Sequence, residues 1–279
     1  MKDSTNRKLL IIFGLSILLS IGAIVIGFMG MVDLFDSEFV NRVREWVEPI
    51  VSIRSDAPPV SSGDSPQDGF SALDVEATQM MEQQDAIKML YAEWPIVIAE
   101  AFITNDLGWP VFEQDNDLAK LTVEIGSGKY QWHAQANEGF VWWSYPDMDP
   151  LTDFYAEIEV TQAERNLSGE LGLVFRLSDD QYYLFEVSGS EYFSLWRSDP
   201  DGWSELFEWT TSSALHATGM NKLGILAVEQ QFYLFINDQL VAEVTDDQLA
   251  AGVVGVAIGL DEAGSEDLFE FDNLIIRAP

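Results

Sequence analysis

No cysteine occurs among the 279 residues. Disulfides, thiolate metal sites and cysteine nucleophiles are therefore excluded, although the compartment is not fixed by this. Histidine is nearly as scarce: His133 and His216 are the only two. They lie far apart in sequence, and a histidine-built zinc site or serine triad has little to draw on. Bases are few, 14 Lys and Arg against 47 Asp and Glu, and the formal net charge is −33. Phosphate backbones need a basic stripe, and none is present, so nucleic acid is excluded as a partner. A phosphate-binding loop is also missing. Gly126-Ser127-Gly128-Lys129 has the letters of such a loop's end. It falls between strand-like runs rather than at a helix start, and reads as a hairpin turn.

One long charge-free run is present: Leu9–Val32, 24 residues. As a helix it would be about 36 Å long, enough to cross a hydrocarbon core of about 30 Å with some tilt. It is longer than a signal-peptide core, and no small-residue cleavage site follows it. Lys2, Arg7 and Lys8 precede the run, and Asp33, Asp36 and Glu38 follow it. The positive-inside rule then places residues 1–8 in the cytoplasm and everything after residue 32 outside, on a single uncleaved span. The expected location is the cell membrane, with an extracytoplasmic C-terminal domain.

Residues 33–53 carry Phe39, Val43 and Trp46 on one apolar stripe of a short helix. That stripe suits the membrane interface, a partner's helix or the globular domain. Residues 54–71 are rich in Pro, Ser, Gly and Asp and read as a linker. Residues 72–94 form a stalk helix in which Leu73, Ala77, Met80, Gln84, Ile87, Tyr91 and Trp94 alternate at spacings of four and three. The seam fits docking on the chain's own domain. It also fits a partner subunit, for which Met80, Ile87 and Tyr91 would be the contacts.

From Pro95 the helical period gives way to about fourteen short runs rich in β-branched and aromatic residues, separated by clusters of turn formers. The stretch 169–209 is the clearest: four runs broken at Ser178-Asp179-Asp180, Ser188-Gly189-Ser190 and Asp199-Pro200-Asp201-Gly202. The expected fold of 95–279 is all-β, an antiparallel jelly-roll sandwich, preceded by the transmembrane helix and the short helical stalk. Alternation turns Phe154, Ala156, Ile158 and Val160 inward. Gln231–Asn237 is apolar on both faces, which predicts a strand covered on both sides.

Several segments resemble concanavalin A-like lectin/glucanase domains of bacterial membrane-anchored surface proteins. Trp94-Pro95-Ile96-Val97-Ile98 with Phe102, Asn105-Asp106 and Gly108-Trp109-Pro110 is similar to the opening of such domains. Gly172-Leu173-Val174-Phe175-Arg176, Asp180 and Tyr182-Tyr183-Leu184-Phe185-Glu186-Val187 are similar to a characteristic hairpin. Phe235–Val241 resembles a second hairpin, and Val253–Val256 with Phe271-Asp272-Asn273-Leu274 resembles the close. The resemblance spans roughly residues 94–279. It implies the fold; lectins, hydrolases, adhesion modules and spacers all share it.

The glucanases of this fold carry a strand of three spaced acids, which Glu157-Ile158-Glu159-Val160-Thr161-Gln162 matches only in part. The third acid, the proton donor, is replaced, so no catalytic residue is assigned. Glu270 and Asp272 share the spacing but sit on the closing strand. Loop acids Asp179, Asp180, Asp261 and Asp267 are oxygen ligands of the kind a structural Ca2+ takes, and no other cofactor is expected. Aromatic side chains at sheet faces stack on sugar rings. Trp142, Tyr182, Tyr192, Trp196 and Trp203 are the candidates, with Tyr192 and Trp196 on one face of their strand. The expected role is a membrane-anchored binding module for glycan or a surface protein. The alternatives are an accessory subunit of a membrane assembly and a glycoside hydrolase.

Overall fold

The computed structural model describes residues 72–279 apart from 164–168 and 190. The run 9–32, the stripe of Phe39, Val43 and Trp46, and the linker lie outside the described residues. Among the described residues no helix is long and apolar enough to cross a membrane.

Helix α1 (Ala72–Ala92) comes first. The amide of Trp94 bonds back to the Tyr91 carbonyl, and Pro95 then prevents continuation. Fifteen strands follow: β1 (Ile96–Glu100), β2 (Phe112–Asp115), β3 (Ala119–Gly126), β4 (Lys129–Ala136), β5 (Phe140–Ser144), β6 (Phe154–Gln162), β7 (Gly169–Ser178), β8 (Gln181–Ser188), β9 (Tyr192–Asp199), β10 (Gly202–Thr211), β11 (Asn221–Val228), β12 (Gln231–Ile236), β13 (Gln239–Thr245), β14 (Val253–Leu260) and β15 (Glu266–Arg277). The strand the sequence did not announce is β2, four residues of mostly polar character at a sheet edge.

The strands form two antiparallel sheets. One runs β13-β12-β11-β6-β15-β4-β3-β2, with β1 also paired to β15; the other runs β10-β9-β8-β7-β14-β5. The inward sides of both meet in one core that includes Trp132, Phe154, Phe175, Phe185, Phe232 and Phe269. Burial of such faces supplies the main driving force. Tight turns set the register. Asp179-Asp180 and Asn237-Asp238 adopt positive φ throughout (49°, 64°; 48°, 66°), as two-residue hairpins of matching twist require.

The two-faced strand β12 is covered on both sides as its composition predicts. Phe232 and Leu234 face the core, while Tyr233 and Phe235 pack with Tyr155 and Leu226 beneath Ile87 of α1. Tyr91 stacks on Tyr155 with ring centroids 3.8 Å apart and planes 7° off parallel. Gln84 Oε1 accepts a hydrogen bond from the Leu240 amide at 2.8 Å. Ile87 and Tyr91 are thus committed to the chain's own sheet rather than to another subunit, because the aromatic outer face of β11–β12 has to be buried locally. Met80, the third contact assigned to a partner, is 62% exposed.

Among the described residues one cation is buried in the sandwich. Arg176, 1% exposed, sits on a bulge of β7 at φ 50°. Its guanidinium donates to the carbonyls of Leu249, Thr152 and Glu229 at 2.9, 3.0 and 2.5 Å. It also lies 5.0 Å from the Phe232 ring centroid. It fastens three loops at one end of the domain.

Candidate functional site

The six-stranded sheet has an outer face that the core does not use. Alternation places Trp143 of β5, Ala257 of β14, Val174 of β7, Tyr182 and Leu184 of β8, and Trp196 of β9 there in one apolar cluster. Strand pairing aligns Trp143 with Ala257, Ala257 with Gly172, Gly172 with Glu186, and Glu186 with Ser194. One row across the sheet therefore runs from an indole, over two small residues, to a carboxyl and a hydroxyl. The small residues are required: a Cβ on Gly172 would overlap the Phe185 carbonyl oxygen.

The aromatic rings gather along this face. Trp143 and Tyr182 lie 4.8 Å apart, Tyr182 and Trp203 5.7 Å, and Trp196 and Trp203 6.4 Å. The last two contacts are edge-on, the arrangement their ring quadrupoles favour. Trp203 is 50% and Tyr192 39% exposed, whereas Tyr182 is buried. Val174, Leu184 and Ala257 are buried beneath the rings although no second sheet lies over them among the described residues.

Four sequence candidates, Tyr182, Tyr192, Trp196 and Trp203, thus share this face. Trp142 does not. Alternation turns it to the core side, where it lies 6.4 Å from Phe112. Its neighbour Trp143 takes the outer position. The alternation of β5 carried that signal, but a Trp-Trp pair shows no polar side by which to orient the strand.

Two carboxyls complete the face. Glu186 is 5% exposed and accepts a hydrogen bond from Ser194 Oγ at 3.2 Å. Ser194 in turn accepts one from Trp196 Nε1 at 2.9 Å. Glu170, opposite Ser188 on β7, leans over Gly259, where a Cβ would stand 2.9 Å from its Oε2. Burial, then the neighbouring Asp261, pushes the Glu170 carboxyl up to about 8. Burial, then Glu170, raises Glu186 well above the ordinary range. Neither carboxyl stood out in sequence, since each is a single acid inside an apolar strand.

The other candidates lie elsewhere. Asp179 and Asp180 occupy the β7–β8 turn, beside the Val253 end of β14, and Asp261 follows the other end of that strand. Eight residues of strand separate them by about 25 Å. Asp267 is buried on β15 and accepts from Gln162 Nε2 at 2.6 Å. The four therefore do not make one metal site, and no group of three or more potential ligands gathers among the described residues. Glu157 lies on the other sheet. It accepts from the Tyr155 hydroxyl at 2.7 Å and stands 3.5 Å from Lys222 Nζ. Glu159 accepts from Asn273 at 2.8 Å, and Glu270 pairs with Lys129. These acids serve the sheet's own polar network. A small cavity near His216 and Asn221 is also lined by Ser188 and Glu191, at the Tyr192 end of the six-stranded sheet.

No family model matches the sequence, and no curated protein matches it. Solved structures do. The chain is similar to a structure described as belonging to endo-acting O-glycanases of the human gut microbiota that initiate mucin breakdown. Identity is 8%, with 66% of this chain and 99% of that one covered, at a TM-score of 0.50. A carbohydrate binding module from Bacillus subtilis matches at 20% identity, covering 63% and 99%, with a TM-score of 0.49. A laminarinase from Flavobacterium sp. UMI-01 matches at 11%, covering 66% and 100%, with a TM-score of 0.48. At such identities the likeness is one of fold. The chain has the concanavalin A-like jelly-roll fold.

Proposed function

We propose that this chain is a membrane-anchored, extracytoplasmic glycan-binding module whose binding surface is the outer face of the six-stranded sheet. The observation that carries the reading is the joined cluster of Trp143, Tyr182, Trp196 and Trp203, with Trp203 and Tyr192 open to solvent. Rings fixed on a rigid sheet offer flat apolar area against which sugar C–H groups pack, at little entropic cost. The anchor is the apolar run 9–32, with the acidic domain held outside.

The accessory-subunit reading loses part of its support, because the seam from Gln84 to Trp94 packs on the chain's own strands. Hydrolysis by Glu157 gains no support from its setting, where Tyr155 donates to the acid and Lys222 bridges it to Asp238. The experiment is a titration of the full chain in mild detergent with neutral oligosaccharides, read by tryptophan emission. A saturable change in emission is expected, carried by Trp196 and Trp203. No change with any oligosaccharide of a broad panel would overturn the reading.

A further inference from the structure

Glu170 and Glu186 stand diagonally on adjacent strands, Glu186 opposite Gly172 and Glu170 opposite Ser188. Side chains in that relation lie within reach of one another. Their polar needs are poorly met. A carboxylate accepts at two oxygens, yet Glu186 has a single bond, from Ser194, at a long 3.2 Å. Glu170 makes no hydrogen bond with the described residues. The charged groups that act on the pair are the two acids themselves and Asp261 from the end of β14, which in turn faces Glu262. From β8 and β9, Tyr182, Tyr192, Ser194 and Trp196 complete the surround. Among the described residues no Lys or Arg acts on either carboxyl.

Elsewhere in this domain several half-buried acids are given a base. Glu270 has Lys129, Asp246 and Asp199 have Arg197, and Glu157 has Lys222. Others are given a donor: Asp267 has Gln162 and Glu159 has Asn273. On the aromatic face Glu186 has only Ser194, and Glu170 has neither base nor donor among the described residues. Buried carboxyls without a counter-ion cost folding free energy, and Gln would serve the fold better. Among the described residues what this site lacks is a cation, and the indole beside it attracts cations too.

We propose that the ligand of this face is an amino sugar with a free amine. Its ammonium group seats against Glu170 and Glu186, while its ring packs on Trp196 and Tyr192. The inference rests on the glycan-binding reading and narrows it to a cationic sugar. Seating the ammonium ionises the carboxyl pair, and the displaced carboxyl proton passes to the buffer. Binding therefore releases protons in the pH range where the ligand amine is still protonated.

The test uses the full chain in mild detergent at about 0.15 M salt, which screens non-specific attraction to the acidic surface. Oligomers of glucosamine, N-acetylglucosamine and glucose are compared by calorimetry at pH 6, where the amine is protonated, in buffers of different ionisation enthalpy. The glucosamine oligomer is expected to bind at least tenfold more tightly than the other two, with a buffer-dependent heat that reports proton release. The E170Q/E186Q variant, checked for an unchanged circular dichroism spectrum, should lose that preference and the proton release. It should still bind neutral oligomers. Equal or tighter binding of a neutral oligomer by the unmodified protein overturns the amine inference and leaves the glycan reading standing. So does a preference that survives in E170Q/E186Q. No binding of any oligomer overturns both.

Discussion

The rings of Trp143 and Tyr182 meet at 4.8 Å although their strands, β5 and β8, are separated by β14 and β7. Small or short side chains in the intervening strands, Ala257 and Val174, leave room for rings to lean inward over them. The result is an apolar layer one side chain thick on a sheet face that, among the described residues, faces no second sheet. Trp143→Ala should uncover Val174, Leu184 and Ala257. The expected cost is about 2–4 kcal/mol, at the lower part of the range for large-to-small core changes because the ring is only half buried. Chemical denaturation measures it. A cost below about 0.5 kcal/mol would mean that the ring covers nothing.

Glu186 carries a pH signature. Burial raises its carboxyl in the folded state, and Glu170 rises to about 8 with it. In the folded state the pair therefore holds protons that the unfolded chain, titrating near 4.3, has released. Stability is full below that unfolded value and falls as pH rises towards 8. Glu186→Gln removes much of this slope. Thermal melts should show E186Q close to the parent at pH 4.5 and more stable at pH 8, by about 2–8 °C for 1–2 kcal/mol in a domain of this size. A variant less stable at pH 8 would refute the sign.

Tyr91 holds the stalk helix to the sheet through its parallel stack on Tyr155. Tyr91→Ala should cost about 1.5–3 kcal/mol, combining lost apolar burial with the aromatic pair. Hydrogen exchange should then speed up in Gln84–Ala92 before it does so in β6. Unchanged protection of the helix would show that Ile87 alone secures it.

Arg176 is a buried cation whose two terminal nitrogens donate to carbonyls instead of a carboxylate. Arg176→Met fills similar volume but strands three acceptors, and about 3 kcal/mol should be lost. Arg176→Lys should recover little, because one ammonium cannot reproduce the fork that reaches Leu249, Thr152 and Glu229. Full stability in R176K would contradict this geometry.

Much of this fold was legible in the residues. The hairpins closed by Asp179-Asp180 and Asn237-Asp238 were marked by turn formers, and β12 announced its double covering by having no polar face. Where polarity did not alternate, reading stopped. Phe112–Asp115 is too short and polar to read as a strand, yet it pairs with β3 as an edge. Trp142 and Trp143 look equally apolar, and only the partner strand decides which enters the core. The acid pair was hidden because Glu170 and Glu186 are sixteen positions apart, and register alone makes them neighbours. The helix seam was periodic enough to suit several partners. The aromatic outer face of β11–β12, needing cover, selected the local one.

The central claim is that the aromatic outer face binds glycan. The most direct measurement is a glycan array with the full chain, followed by calorimetry of its strongest binder against the parent and W196A/W203A. Both tryptophans are at least partly exposed, so the variant should stay folded, as its denaturation curve will report. The account predicts affinity at least tenfold weaker in the variant, a loss of about 1.4 kcal/mol or more. An array without binders, or equal affinity in the folded variant, would contradict it.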